Sequence, residues 1–99
     1  MSGQQKSSQN PSHKVERVQT GVRIEKRMLK VLKGLAEFHD ITLGDLLEGI
    51  VLHAFDGKVP FDEKNLKIIQ QLRSLYELNL TYEDSHKLVE PQQPQEDSG

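Results

Sequence analysis

The sequence contains no cysteine, which excludes disulfides and thiolate metal sites and is compatible with a reducing compartment. No apolar run approaches the ~18 residues that a membrane-spanning helix needs, and the first residues lack the apolar core of a signal peptide. The expectation is a soluble, cytoplasmic protein. None of the four histidines (His13, His39, His53, His86) forms an i, i+4 pair, the simplest helical metal signal. Asp45, Glu48 and His53 lie on one segment, but no nucleophile, glycine-rich phosphate loop or companion motif supports catalysis. No enzyme activity, cofactor or metal is therefore expected. Internal repeats are also absent.

What is present is unevenly distributed. The opening MSGQQKSSQNPS and the closing EPQQPQEDSG consist of Gln, Ser, Pro, Gly and other polar residues, with no apolar side chain beyond Met1. Such segments bury too little surface to offset the entropy of ordering, so residues 1–14 and 90–99 are expected to be disordered tails. At this size a monomer's core is marginal, which favours an oligomer. The net charge of −2 hides an asymmetry. Lys14, Arg17, Arg23, Lys26, Arg27, Lys30 and Lys33 face only Glu16 and Glu25 within residues 14–33, a local +5 that leaves −7 for the rest. A concentrated basic segment points to nucleic acid even where the overall charge does not.

The same basic segment opens with a period of two. Val18, Thr20, Val22 and Ile24 alternate with Arg17, Gln19, Gly21 and Arg23, the pattern of a half-buried strand. From Glu25 to Asp40 the period becomes helical, with Met28, Leu29, Leu32, Leu35 and Ala36 on one face and Lys26, Lys30, Lys33 and Glu37 on the other. Gly34 interrupts this helix at a cost of about 1 kcal/mol relative to Ala. Thr42 reads as the N-cap of a second helix, with Asp45 three residues on and Ile41 placed to pack on Leu46. Its stripe is Leu43, Leu46, Leu47, Ile50, Val51 and Ala54, and Gly57 is a natural C-terminal cap. A linker at residues 58–61 precedes a third helix expected from near Asp62 to about Leu78. Thr81 can cap one more turn.

A lone strand cannot leave its backbone donors and acceptors unpaired in a soluble protein, yet no second strand is legible. Its partner can be the same strand of a second copy, paired antiparallel about a two-fold axis. Val18, Thr20, Val22 and Ile24, with Leu46, Leu47 and Ile50, would then close a shared dimer core. Arg17, Gln19, Gly21 and Arg23 would face outward on a two-stranded ribbon that fits the major groove, where Arg bonds guanine and Gln bonds adenine.

Strand, helix, short turn, helix over residues 17–55, about two-fifths of the chain, resembles the ribbon-helix-helix repressors, the Arc and methionine repressor superfamily. The most specific part is DITLGDLLEGI, in which Ile41, Thr42, Gly44, Asp45, Leu46 and Leu47 fill the turn-and-second-helix pattern of that family. The chain departs from the pattern at Asp40, where the family has a turn glycine, at Gly21, where it usually offers a side chain, and at Glu48, where a basic residue is frequent. The resemblance implies a mainly α fold with one short strand: a ribbon-helix-helix homodimer with an intermolecular two-stranded antiparallel ribbon over residues 15–57. A C-terminal helical extension, residues 58–89, would be added to it. It also implies a sequence-specific DNA-binding transcriptional regulator, a repressor or autoregulator, in which Gln19, Gly21 and Arg23, with Arg17 at the edge, read bases. The backbone of Thr42, Leu43 and Gly44 would hold a phosphate, as helix N-termini do, with Lys26, Arg27 and Lys30 as further phosphate contacts. The third helix would enlarge the core, or else bind a protein partner as an antitoxin does.

Overall fold

The computed structural model describes residues 13–91. They form three α-helices, α1 (Lys26–His39), α2 (Leu43–Phe55) and α3 (Glu63–Leu75), followed by one 3-10 turn, Tyr82–Asp84. An arm without regular secondary structure, residues 13–25, leads into α1. The expected tails fall mostly on residues 1–12 and 92–99, which lie outside the described residues.

The fold corrects the expected one. Among the described residues there is no strand and no sheet, so the ribbon-helix-helix architecture with its β-ribbon is replaced by a mainly helical one. The physical reason is the one that made the strand a puzzle: nothing among the described residues offers the arm a ladder partner, and alternation of side chains does not by itself make a strand. Val18, Thr20 and Val22, expected in a core, are exposed, with Val18 79% accessible.

Each helix begins on a side-chain cap. Glu25 accepts the Met28 N–H at 2.8 Å, Thr42 Oγ1 that of Asp45 at 3.0 Å, and Asp62 that of Asn65 at 2.9 Å. These occupy donors that a helix start leaves unpaired. All three helices end in the same way, in a paired 6→1 and 5→2 closure around a residue of positive φ. Asp40 (φ 60°), Gly57 (φ 69°) and Glu77 (φ 56°) hold that position. The long bonds run from Ile41 N–H to the Ala36 carbonyl (3.0 Å), Lys58 to His53 (2.8 Å) and Leu78 to Arg73 (2.8 Å). The expected extension of α3 to Leu78 stops at Leu75 because the chain reverses through Glu77, and Leu78 is instead buried beneath the turn.

Helix α1 packs against both α2 and α3. Leu35, Ala36 and Leu46 form the core cluster, surrounded by Leu32, Ile50, Phe61, Ile68, Ile69 and Leu72. This accounts for Gly34. A Cβ there would lie 2.9 Å from Cδ2 of Leu72, so the glycine lets α3 approach α1 closely. The third helix therefore enlarges the core.

Two outcomes follow for stability in denaturant titrations. Gly34→Leu adds volume at that crossing and is expected to destabilise the fold by about 1–3 kcal/mol despite leucine's better helix propensity, with α3 amides losing exchange protection first. Glu77→Gly relieves a left-handed non-glycine residue and is expected to stabilise by up to about 1 kcal/mol; a loss of stability would show that the Glu77 side chain has a role of its own.

Candidate nucleic-acid interface

The arm passes the N-terminal half of α2. Residues Glu16, Arg17, Val18 and Thr20 line one shallow groove with Ile41, Thr42, Gly44 and Glu48, and His13 and Val15 share a second groove with Leu47, Val51 and Leu52. Arg17 donates to Glu48 through Nε (2.7 Å) and Nη2 (2.8 Å). Six residues on, Arg23 donates to Glu90 through Nε (3.0 Å) and Nη2 (2.5 Å). Both arginines thus present a two-toothed fork to a planar carboxylate. Gln19 and Gly21 between them are exposed. The hydrogen bonds and charge of these pairs hold the Glu48 and Glu90 carboxyls below their ordinary range and raise the arginines further.

The expected phosphate residues divide. Thr42 is the N-cap of α2, and its hydroxyl is engaged by the Asp45 amide. The backbone amides of Leu43 and Gly44 stand in the first turn, where a helix leaves donors free, and the space above Gly44 is open. Asp40, Asp45 and Glu48 also line this groove and oppose an anion there. Lys26 is exposed at the start of α1, with no ion-pair partner among the described residues. Lys30 lies over the Tyr76 ring, its Nζ 5.5 Å from the centroid. Arg27 is half-buried and spent inside the fold: it donates to Glu25 (2.9 Å), the Glu77 carbonyl (3.0 Å) and Asn79 (3.4 Å). It ties the start of α1 to the turn after α3, a role its position in a basic run conceals.

Of the expected dimer-core residues, Leu46 is buried, Ile24, Leu47 and Ile50 are half-buried, and Val18, Thr20 and Val22 are exposed. The second half of α2 leaves Leu52 (64% accessible) and Phe55 (80%) in water, and Val51 and, past the helix end, Val59 are exposed too. Sequence reading did not find Glu90 as a partner of Arg23; the only available signal was the charge split between the basic segment and the acidic remainder. No group of His, Asp or Glu among the described residues could hold a metal, and none of the helices is long and apolar enough to cross a membrane.

Compared with family models, curated proteins and solved structures, the chain matches none.

Thr42→Ala is expected to cost about 1 kcal/mol through loss of the α2 cap, and Thr42→Ser to restore it. Acid adds a second test. Glu25 sits below its ordinary value of 4.5, first through the hydrogen bond from Arg27 and then through the Met28 amide. Its folded-state value being lowered, its contribution is complete above 4.5 and is lost as pH falls through the lowered value. Thermal melts from neutral to acid pH are therefore expected to decline below that point, and Glu25→Gln to decline less steeply than the parent. Equal slopes would remove Glu25 from the account.

Proposed function

We propose that the chain is a DNA-binding transcriptional regulator that acts as a homodimer and lays its basic arm in a groove of the duplex. The observation that carries this reading is the arm itself. Residues 13–23 are exposed and their backbone makes no hydrogen bond to another described residue, and Arg17, Gln19 and Arg23 continue into the exposed Lys26 of α1. Arms that insert into a groove are used by other DNA-binding folds, where they add contacts beside a helix. Arginine can donate twice to the guanine edge, and glutamine can donate to adenine N7 while accepting from its N6 amino group.

The state of the two arginines also supports the reading. A guanidinium gripping a carboxylate through two parallel N–H···O bonds already has the geometry that a phosphate or a guanine edge requires. Glu48 and Glu90 then stand where acceptors of the nucleic acid would be. Gln19 and Arg23 carry base contact, Gly21 lets the backbone approach, and Lys26 with the Leu43 and Gly44 amides contacts phosphates. The second copy is argued from Val51, Leu52, Phe55 and Val59, which one copy leaves exposed and which form the kind of apolar surface that marks an interface. A homodimer would read a roughly palindromic operator.

A second reading, a protein-interaction module without DNA, rests on the same apolar surface. Helix α3 gives Ile68, Ile69 and Leu72 to the core and leaves Leu66 and Leu75 exposed, whereas α2 leaves Val51, Leu52 and Phe55 exposed, so α2 offers a partner the larger apolar surface.

Ionic strength separates the two. In titrations of a labelled duplex selected from a random library, log affinity should fall linearly with log salt, with a slope of about −0.9 for each phosphate neutralised. Arg23→Ala should weaken the selected site by roughly 5- to 150-fold and flatten its sequence preference. Binding insensitive to both salt and Arg23→Ala would leave the protein-interaction module as the better reading.

A further inference from the structure

We propose that the segment following the 3-10 turn, residues 88–91, is a built-in competitor that caps Arg23, so that an anionic ligand competes with Glu90 for the Nε and Nη2 edge of this arginine. The inference rests on the DNA-binding reading for the identity of that ligand, but the cap itself is argued from the fold.

The path of the chain after α3 is steered back to the arm by a series of specific ties. Arg27, in the first turn of α1, holds the Glu77 carbonyl and Asn79. Arg73 donates to the Leu80 carbonyl at 2.7 Å. Thr81 and Asp84 then close a reciprocal cap: Thr81 Oγ1 accepts from the Glu83 N–H (3.3 Å) and the Asp84 carboxylate accepts from the Thr81 N–H (2.8 Å). His86 turns the chain at φ 68°, and Lys87 N–H returns to the Asp84 carbonyl at 3.0 Å. The result is a groove with Val22, Arg23, Ile24 and Leu29 on one side and Leu88, Val89, Glu90 and Pro91 on the other. At its mouth Glu90 accepts from the Nε and Nη2 edge of Arg23, across 67 positions of sequence. Leu88 and Val89 line this groove beside Glu90, with Leu88 the less accessible of the two (47% against 90%).

The pair is solvent-exposed, with side chains 83% and 66% accessible, and exposed ion pairs are weak and screened by salt. That makes Glu90 a competitor that tunes affinity and not a lock. Displacing it is expected to change duplex affinity by roughly two- to fivefold at low salt.

The test uses the full-length chain and its Glu90→Ala variant, with Glu83→Ala as a control that removes the same charge from the neighbouring turn. Fluorescence anisotropy on a labelled duplex at low salt should show Glu90→Ala binding two- to fivefold more tightly than both parent and control. The gain should shrink as salt rises and vanish in an Arg23→Ala background. A Glu90→Ala affinity equal to that of the parent, or matched by Glu83→Ala, overturns the cap. If none of the chains binds duplex, the DNA reading fails and the cap is decided separately by NMR. Slower exchange of the Arg23 Nε–H in the parent than in Glu90→Ala upholds it, and equal exchange overturns it.

Discussion

Leu35 on α1, 1% accessible, is the point on which the rest of the molecule leans. Around it α1 must satisfy two neighbours at once, α2 through Leu46 and Ile50 and α3 through Ile68, Ile69 and Leu72. A single amphipathic stripe serves one neighbour, and serving two widens the apolar arc until a side chain is in the way. Gly34 resolves the conflict by removing that side chain where Leu72 arrives. A Cβ there would press on the far end of the Leu72 side chain, so the glycine gives Leu72 room against α1 at the expense of helix propensity.

A core of this size cannot cover all the apolar side chains the chain carries. Val31, Leu35, Ala36, Leu46 and Leu78 are the buried hydrophobics among the described residues, while Phe55, Leu52, Val18 and Val22 remain in water. Small folds meet this shortage by association or by crosslinks, and a chain without cysteine has no disulfide to use. The exposed surface of α2 and the uncovered arm are thus one consequence of one limit. That is why a second copy belongs to the proposed function.

How much was legible in the sequence depended on whether the responsible forces are local. Helix starts at Glu25, Thr42 and Asp62 depend on a side chain reaching an amide three residues away. Residue type and spacing disclose Thr42 and place the third helix near Asp62, whereas Glu25, not a favoured capping type, reads as the first helical residue. The left-handed closures at Asp40 and Gly57 were equally local. Glu77 was not, because nothing in its type announces positive φ, so α3 was drawn too long. The arm was misread for a stronger reason. Period-two alternation reports which face of a strand would be buried, but the strand exists only if a second backbone is present, and periodicity is silent on that. Long-range electrostatics were the least legible. A split of +5 and −7 says that attraction is available without saying that Arg23 meets Glu90 or that Arg27 turns inward to Glu77.

The two arginine pairs place function and stability in mild opposition. A cationic arm in a small domain repels itself and is desolvated by whatever it touches, so tying Arg17 to Glu48 and Arg23 to Glu90 steadies an arm that has no ladder bonds to hold it. The same ties reduce the charge that the arm shows to a distant anion, lowering both steering and affinity. Because both carboxylates are exposed, the compromise stays reversible, and salt weakens arm anchoring and ligand attraction together. An arm held by a β-ladder would escape this coupling, since its backbone would be fixed independently of its charges. Under the proposed function the side chains that hold the arm are the ones that let go on binding, so a charge change at Glu48 or Glu90 acts on arm anchoring and on ligand attraction together.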